Sequence, residues 1–461
     1  MTEVTRSNLV GGEMLNWSDL HPADSRPAAG GAAAVTLLAG ALRPGDSVLV
    51  AGPHAAGLYA DVVAQAESVD ILVRSAPDAE ELAETLGTAK TQVYCGSFDR
   101  FETEETYDLI VALDGLERLV GPDTESLPWS EALGKLVDRL APDGRLLLGA
   151  TNSFSVNRMI QTDITAALPR DEDWGRAVGD AAPAGLAPLE AALRAAGLKV
   201  KEGRGAPGLG AQVFGVYPSL VTAEVLVGDD EQLTAAAAAR VVAGCNSGPT
   251  LMDPYRVVMD AGRAGLLVGL APGWFVVVGD VEVAAAAPAG ELVEERLLAA
   301  LRADDQLALR REVVRWLENA PAAADNVIVD GTSYRLLEPA GALTVEAALE
   351  RFVERALKSG VRLPWPAGGS GEELTARLAS MVGVTLAPSS NREVVRPLGS
   401  AEQLATVARL ADELAHASAR AILFEGTVSG IRRSVPYRLG HAMLNPARVV
   451  RRRLKRLLRR R

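Results

Sequence analysis

The chain has few of the residues that build cross-linked or metal-dependent proteins. Its 461 residues include two cysteines, Cys95 and Cys245, and four histidines. Neither cysteine belongs to a Cys-x-x-Cys pair, so the sequence predicts neither a disulfide framework nor a metal site, and both residues are expected to be reduced thiols. Aromatic residues make up 4% of the chain and hydrophobic residues 48%. We therefore expect a sizeable core built mainly from Ala, Val and Leu.

Long apolar runs are also absent from the sequence. No stretch reaches the ~18–20 apolar residues that a membrane-spanning helix needs. The first residues, MTEVTRSNLVGGEMLNW, lack the basic segment followed by an apolar run that marks a signal peptide. We expect a cytoplasmic protein that is soluble or bound peripherally to the inner face of a membrane.

Basic residues are scarce in the body of the chain and concentrated at its end. Residues 432–461 hold 12 Lys and Arg and no Asp or Glu, which leaves 35 of the 47 basic residues against all 59 acidic ones in residues 1–431. Asn445-Pro446 predicts a helix start. An apolar stripe follows, formed by Val450, Leu454, Leu457 and Leu458. Such a helix can bind an anionic membrane surface, a partner protein or the acidic body of this chain, and it lacks the interleaved aromatic residues typical of nucleic-acid binding.

Strands and helices alternate from residue 46 onward. Seven short apolar segments have the composition of strands: Ser47–Ala51, Val69–Val73, Gln92–Cys95, Tyr107–Leu113, Arg145–Ala150, Leu198–Glu202 and Ala211–Tyr217. Helical patterns lie between them at Ala56–Ala66, Pro77–Leu86, Leu127–Leu140 and Pro183–Ala196. This alternation predicts an α/β protein with a doubly wound, Rossmann-like seven-stranded sheet that ends in a hairpin.

The chain divides into four predicted parts. Residues 1–45 form an N-terminal arm, residues 46–228 the doubly wound domain, residues 229–431 a C-terminal α+β accessory region, and residues 432–461 the basic amphipathic tail helix. The accessory region is expected to contain a strand, a hairpin centred on Asp330-Gly331 and two long helices. These are, in order, Trp274–Val278, Asn326–Leu337, Val345–Lys358 and Ala401–Ala417.

Several segments of the doubly wound domain carry a family resemblance. In order they read DSVLVAGPHAAGLYADVVA, VDILVRSAPDAEEL, YCGSFDRF, YDLIVALDGLERL and LVDRLAPDGRLLLGATN. This order, and LAPDGRLLL at the fifth strand in particular, resembles the class I S-adenosylmethionine-dependent methyltransferases. The part from Asn152 to Val278 resembles long actinobacterial methyltransferase-like proteins of natural-product and glycan genes. The resemblance implies a Rossmann-like fold with S-adenosylmethionine as cofactor.

The first cofactor motif of this family is altered in the chain. The family has an acidic residue and three glycines there, which let the backbone approach the cofactor. Here Val50 replaces the acidic residue, and Gly52 and Gly57 are the glycines that remain. Pro53 and His54 add bulk between them. The resemblance still implies that Gly52 and Gly57 are the cofactor-binding residues of this loop.

The second and third cofactor motifs are altered as well. The second normally ends in an acidic residue that binds the ribose hydroxyls. Val73 occupies that place here, or Asp70 if the register shifts. The third normally places an Asp near the adenine, and here the chain has Ser97 and Phe98. Either the cofactor is bound through unusual contacts, or the fold has lost it.

Four titratable side chains are candidate catalytic groups at the carboxyl edge of the sheet. His54 can act as a neutral base near a helix start, or it replaced a glycine after the cofactor was lost. Asp114 and Glu117 follow the fourth strand, where they can orient an amine or carry a proton, or only cap a helix. Cys95 ends the third strand and either faces the same cleft or is a core thiol.

The acceptor pocket is expected after the fifth strand. Asn152, Asn157 and Arg158 begin that segment, and Trp174 lies in an acidic stretch that can form a lid or a solvated loop. The sequence names no acceptor, and a small molecule or a peptide is equally compatible with it.

Two functions from different classes remain open. The first is a methyltransferase of natural-product biosynthesis that acts on a peptide or glycan acceptor. The second is a methyltransferase fold repurposed in a membrane-associated complex, either as a scaffold subunit or as a cofactor-independent, epimerase-like enzyme. In the epimerase-like reading His54, Cys95 or Asp114 supply the acid and the base.

Overall fold

The structure is a computed structural model. It describes residues 7–21, 26–121, 127–160, 182–200, 210–228, 232–246, 250–283, 290–337, 343–358 and 371–386, and four single positions between 414 and 424. The acidic stretch with Trp174, all but two positions of the predicted helix Ala401–Ala417, and the basic tail lie outside the described residues.

The centre of the molecule is a mostly parallel sheet. Its described strands are β1 (Asn8–Gly11), β2 (Ser47–Ala51), β3 (Ser68–Val73), β4 (Thr91–Gly96), β5 (Tyr107–Ala112), β6 (Leu140–Thr151), β7 (Gln212–Tyr217), β8 (Val225–Val227) and β9 (Gly273–Val278). Their order is β1-β4-β3-β2-β5-β6-β9-β7-β8. The strands from β1 to β6 pair in parallel, whereas β9 is antiparallel to both β6 and β7. This is the doubly wound architecture that the sequence predicted.

Helices cover both faces of the sheet. They are α1 (Ala32–Ala41), α2 (Ala56–Gln65), α3 (Ala76–Leu86), α4 (Trp129–Val137), α5 (Val156–Ile160), α6 (Leu186–Ala195), α7 (Gln232–Cys245) and α8 (Pro254–Arg263). Neighbouring strand residues point to opposite faces, so Val50 packs with α1, α2 and α3 while Leu49 packs with α4 and α6. Burial on both faces explains why the inner strands are uninterrupted apolar runs.

The described sheet has nine strands, two more than the seven predicted. The arm adds β1 at one edge, and β8 extends the other edge. The predicted strand Leu198–Glu202 is represented in the described residues by one bridge between Val200 and Ala211. The prediction that Leu198–Glu202 and β7 form a terminal hairpin is therefore wrong, because β7 pairs with β9 on one side and with β8 on the other. Gly273–Val278, which the sequence interpretation counted with the accessory region, is the inner strand β9 and is buried along its whole length.

A second, smaller sheet follows in the C-terminal region. Its elements are β10 (Glu291–Leu292), α9 (Val293–Arg302), α10 (Gln306–Asn319), β11 (Val327–Asp330), β12 (Ser333–Leu336), α11 (Val345–Lys358) and α12 (Gly371–Met381). The predicted hairpin is present, with Asp330 opposite Ser333 and Gly331 at φ +59° in the turn. Trp316 and Phe352 meet edge to face in the core of this region. Within the described residues, no helix has the length and apolarity to cross a membrane.

Buried charges join α8 to the C-terminal region, and we call this group the junction cluster. Arg355 donates to Glu294 at 2.8 Å and stacks 3.6 Å from the ring centroid of Tyr255. Asp325 accepts from Arg351 at 2.7 Å, and Arg256 lies 3.5 Å from a carboxylate oxygen of Glu295. Not all of these atoms are satisfied: one carboxylate oxygen of Asp325 and two guanidinium nitrogens of Arg256 have no hydrogen-bond partner among the described residues.

Candidate functional site

The strand order reverses direction between β2 and β5. The chain leaves β2 towards α2 on one face and leaves β5 towards α4 on the other, which opens a crevice at the carboxyl ends of these two strands. Doubly wound proteins bind their ligands at such a switch point. Gly52 and His54 follow β2, and Asp114 and Glu117 follow β5, so the topology brings most of the predicted site residues to this one place.

His54 closes the loop between β2 and α2 from inside. Gly52 makes the turn possible with φ +89°, a conformation that favours glycine. The Nδ1 of His54 lies 3.0 Å from the carbonyl oxygen of Gly52, and its Nε2 accepts from the backbone N–H of Leu113 at 3.0 Å. The second bond requires an unprotonated Nε2, so the imidazole is neutral with its proton on Nδ1. Both nitrogens are therefore occupied.

The electrostatic setting of His54 agrees with this role. The ring is fully buried, and burial lowers its pKa to about 4, although the nearby carboxylate of Asp114 acts in the opposite direction. A general base needs a free nitrogen and a pKa near the working pH. His54 has neither in this arrangement, and it acts as a bridge between the ends of β2 and β5.

Asp114 is a fully buried carboxylate with four hydrogen bonds. Arg118 donates to both of its oxygens, at 2.7 and 2.6 Å, and Arg26 donates at 2.8 Å. The backbone N–H of Ala29 adds a fourth bond at 2.9 Å. Arg118 also donates to the carbonyl oxygens of Arg26 and Pro27, at 2.8 and 3.1 Å. Asp114 and Arg118 thus bind the N-terminal segment of the chain and leave no oxygen available for a substrate.

From here on, the arm means the described residues 7–21 and 26–31 of the predicted N-terminal arm. It follows the carboxyl edge of the sheet from strand to strand. It pairs with β4 through β1, then Met14 forms a parallel bridge with Ser75 after β3, and Ala29 forms another with His54 after β2. The carbonyl oxygen of Ala29 accepts from Ala55 at 2.8 Å, at the start of α2. The arm therefore lies directly on the strand ends that form the crevice.

A buried ion pair anchors the middle of the arm. Arg74, the first residue after β3, donates to both oxygens of Asp19 at 2.7 and 2.9 Å and to the carbonyl oxygen of Val120 at 2.9 Å. Burial acts to raise the pKa of Asp19, but the hydrogen bond and charge of Arg74 outweigh it and hold this pKa below its usual value. Asp78 on α3 accepts from the backbone N–H groups of Asp19 and Leu20.

Three predicted cofactor residues, Val73, Ser97 and Phe98, and the predicted catalytic residue Cys95 lie in unlike surroundings. Val73 and Cys95 are buried in the hydrophobic core, and burial raises the pKa of the Cys95 thiol to about 12, as expected for a core thiol. The backbone N–H of Ser97 donates to the carbonyl oxygen of Gly11 in the arm at 2.8 Å. Phe98 is fully buried beneath the guanidinium of Arg139. These four residues do not line one common cavity wall.

Two predicted residues are not fully engaged: Gly57 is exposed, and Glu117 has a buried oxygen without a partner among the described residues. Gly57 lies in the first turn of α2, and a Cβ built on it meets no atom within 4 Å. One carboxylate oxygen of Glu117 has no hydrogen-bond partner among the described residues, and it lies against Gly115. Burial raises the pKa of Glu117. Glu117 is therefore the predicted catalytic carboxylate with spare hydrogen-bonding capacity.

The residues expected to shape an acceptor pocket mostly bind backbone. Asn152 donates to the carbonyl oxygens of Gly269 and Ala271, at 3.1 and 2.8 Å. Asn157 donates to the carbonyl oxygen of Pro218 at 3.0 Å, and Arg158 is exposed. Asn152 and Asn157 thus join β6 and α5 to the loops around β7 and β9. Among the described residues, no group of three His, Cys, Asp or Glu is placed to hold a metal ion.

Sequence reasoning missed the four residues that dominate the crevice, which are Asp19, Arg26, Arg74 and Arg118. Arg118 follows Asp114 by four residues and Arg74 directly follows β3, so both positions were visible in the sequence. Asp19 and Arg26 carry no local pattern. Their partners are 55 and 88 residues away in the chain.

The crevice as arranged does not fit S-adenosylmethionine. Val73 lies buried at the position where the family has its ribose-binding acidic residue. The next residue, Arg74, is already paired with the carboxylate of Asp19. The loop that should press against the cofactor presses against Ala29, and the helix start beyond it donates to the arm. The arm stands where the cofactor of a doubly wound enzyme would lie.

The chain is similar to several solved structures over part of its length. No protein-family model and no curated protein matches the chain. Similar solved structures include the N-methyltransferase NodS from Bradyrhizobium japonicum WM9 in complex with S-adenosyl-L-homocysteine, at 19% identity over 26% of this chain and 60% of that chain, with a TM-score of 0.22. The CcbJ methyltransferase from Streptomyces caelestis matches at 22% identity over 32% of this chain and 58% of that one, with a TM-score of 0.23.

A longer match is a Haemonchus contortus phosphoethanolamine N-methyltransferase in complex with phosphomonomethylethanolamine and S-adenosylhomocysteine. It has 11% identity over 56% of this chain and 55% of that one, with a TM-score of 0.31. The chain thus spans about three fifths of these methyltransferases. The assignment of a Rossmann-like fold follows from the strand order and pairing described above.

Proposed function

We propose that this chain is a methyltransferase-like protein of natural-product biosynthesis, with its ligand site at the switch point between β2 and β5. The observation that supports this most is the crevice itself, where the glycine turn after β2 and the acidic segment after β5 meet. S-adenosylmethionine is the proposed cofactor, since similar structures carry it or its product. Because the crevice does not fit it as arranged, the cofactor requires a form in which the arm has left.

Calorimetric titration of the full chain with S-adenosylhomocysteine tests this proposal. We expect weak, millimolar binding to the wild type, because the arm must be displaced. Gly57→Leu should reduce this binding further, since the new side chain enters open space at the start of α2 where the cofactor would approach. Gly134→Leu, at an equally open position in α4, is the matched control and should bind as the wild type does. Equal binding by both variants would place the ligand elsewhere.

The acceptor is the next part of the proposal. A small molecule or a peptide is proposed, and Glu117 is the residue we place nearest to it, because one of its carboxylate oxygens has no partner among the described residues. An acceptor amine is the group that such an oxygen would bind. Radiolabelled methyl transfer from S-adenosylmethionine to candidate amines, compared between the wild type and Glu117→Gln, tests the assignment.

A non-catalytic scaffold is the second candidate function. The observation that favours it is the pairing of two predicted catalytic groups: Asp114 has four hydrogen bonds and both nitrogens of His54 are bound. The same pairing argues against cofactor-independent epimerisation, since His54 and Cys95 offer no accessible acid or base. Exchange of Cα hydrogens of a candidate peptide for solvent deuterium would support the epimerase-like function. A folded chain that shows neither exchange nor cofactor binding would be a scaffold.

Peripheral membrane association and a partner subunit belong to this proposal too. Their support is the contrast between the basic residues 432–461 and the acidic remainder of the chain. Co-sedimentation of the full chain with vesicles of anionic lipid, against vesicles of neutral lipid, tests the membrane contact. Binding to neither kind of vesicle would leave a partner protein or the body of the chain as the tail's target.

A further inference from the structure

We infer that the carboxyl edge of the sheet is a peptide-binding surface whose ligand in this structure is the chain's own arm, and that the arm and the cofactor exclude each other. The second half of this inference rests on the proposed function. The first half stands on the contacts of the arm alone.

Backbone pairing is the general part of this recognition. The arm pairs in parallel with β4 through β1, and it forms single parallel bridges with Ser75, which follows β3, and with His54, which follows β2. The N–H of Met14 donates to the carbonyl oxygen of Arg74 at 2.8 Å, and Ala76 donates back to Met14 at 3.1 Å. Strand addition of this kind supplies affinity without reading side chains.

Two charged side chains supply the specific part. Asp19 of the arm enters a place lined by Arg74 and Arg118, and seven residues later Arg26 reaches Asp114. Each arm charge thus meets a buried opposite charge of the sheet edge, and a peptide without this pair would remove the carboxylate partner of Arg74 and one of the two arginines that bind Asp114. The expected ligand is a peptide that carries a carboxylate and, seven residues further on, a guanidinium.

Close approach of backbone gives further evidence of a matched surface. A Cβ on Gly96, at the end of β4, would overlap the carbonyl oxygen of Gly11. A Cβ on Gly31 would overlap the backbone of Ala223. Both glycines have positive φ, +142° and +98°, which disfavours any other residue. The surface and the arm therefore fit each other at both ends of the crossing.

Mutual exclusion follows from the position of these contacts. The arm lies within hydrogen-bond distance of the residues that follow β2, β3 and β5, so no layer remains between them for a second ligand. A cofactor that binds these same strand ends must displace Asp19 and Ala29. Loosening the arm should therefore strengthen cofactor binding, and a free copy of the arm should weaken it again.

The test uses full-length Asp19→Asn, which keeps the shape of the side chain and removes its charge. Asp46→Asn is the matched control, because Asp46 is also a buried Asp paired with an arginine, Arg145, but precedes β2 at the opposite edge of the sheet. Amide hydrogen exchange at Met14, Ala29 and Gly30 reports arm release. We expect these amides to exchange at least about tenfold faster in Asp19→Asn, with no change in Asp46→Asn.

Calorimetry with S-adenosylhomocysteine on the same proteins then tests exclusion. Asp19→Asn should bind at least about tenfold more tightly than the wild type. A synthetic peptide of residues 7–31 should reverse the gain, while a scrambled peptide should not. Arm release without any cofactor binding would overturn the proposed function and leave the peptide surface intact. Tight cofactor binding by a wild type with protected arm amides would overturn exclusion, and unprotected arm amides in the wild type would overturn the inference as a whole.

Discussion

The crevice and the junction cluster are both groups of buried charges, yet their charged groups are paired to different degrees. Both carboxylate oxygens of Asp114 have partners, and the neighbouring Asp19 has its pKa lowered by Arg74 against the effect of burial. In the junction cluster burial raises the pKa of Glu294 in spite of Arg355, and one oxygen of Asp325 has no partner among the described residues.

The difference indicates what each group does for the fold. A buried charge whose hydrogen bonds are complete favours its ionised form and fixes its partners in one arrangement. A buried charge with incomplete bonds tends to be neutral and contributes little net stability. The crevice therefore specifies the place of the arm, whereas the junction cluster mainly fills space between helices. Neutralising substitutions should separate the two groups.

The largest effect is expected from Asp114→Ala. Removing this carboxylate takes from the buried Arg118 its nearest counter-charge and from Arg26 its partner, and breaking a buried ion pair typically costs about 3–5 kcal/mol. Urea unfolding followed by circular dichroism measures the change. Asp280→Ala is the control, because the Asp280 side chain is 84% exposed in its pair with Arg43, and it should cost less than about 1 kcal/mol. Similar losses for both variants would contradict the assignment.

An effect of similar or smaller size is expected from the titration of His54. Its folded pKa of about 4 lies below its ordinary 6.5, so the unfolded chain takes up this proton first as the pH falls. Stability is then complete above pH 6.5 and decreases by about 3 kcal/mol down to pH 4. His54→Gln should remove this part of the pH dependence of unfolding. His21→Gln, which changes an exposed histidine, should keep it.

The smallest effect is expected in the junction cluster from Glu294→Gln. Because burial raises the pKa of Glu294, its ionised form gains less from folding than a carboxylate whose pKa is lowered, and the amide should cost less than Asp114→Ala near neutral pH. The difference from wild type should shrink as the pH falls and Glu294 becomes protonated. Thermal unfolding at several pH values measures it. A loss as large as that of Asp114→Ala would remove the distinction between the two groups.

Most of the sheet could be predicted from the sequence, because strands buried on both faces are continuous apolar runs. The strands that were missed have a different origin. β1 is four residues long and partly exposed, and it is a strand because β4, more than 80 residues later, offers it an edge. β9 was predicted as a strand, Trp274–Val278, but was assigned to the accessory region instead of the central sheet, since no local signal tells which sheet an apolar run will join.

The candidate site was located correctly by topology but not in its chemistry. The sequence showed that His54 and Asp114 follow adjacent strands, and it left open whether they act on a ligand. Their partners decide this: Arg26 and Ala29 come from the arm, and pairing over such distances is set by the folded chain alone. The sequence left open for the same reason whether Cys95 faces the cleft or is a core thiol. The packing of β4 places it in the core.

The order in which the chain is made gives the pairing of β1 with β4 one more consequence. A ribosome releases the arm before Arg74, Gly96 and Asp114 exist, so the arm must wait unpaired while the strands behind it are synthesised. Closing these long loops is entropically costly and follows the local βα units. We therefore expect the nascent chain to pass through a stage in which the strands of the crevice have formed and the arm has not yet paired with them.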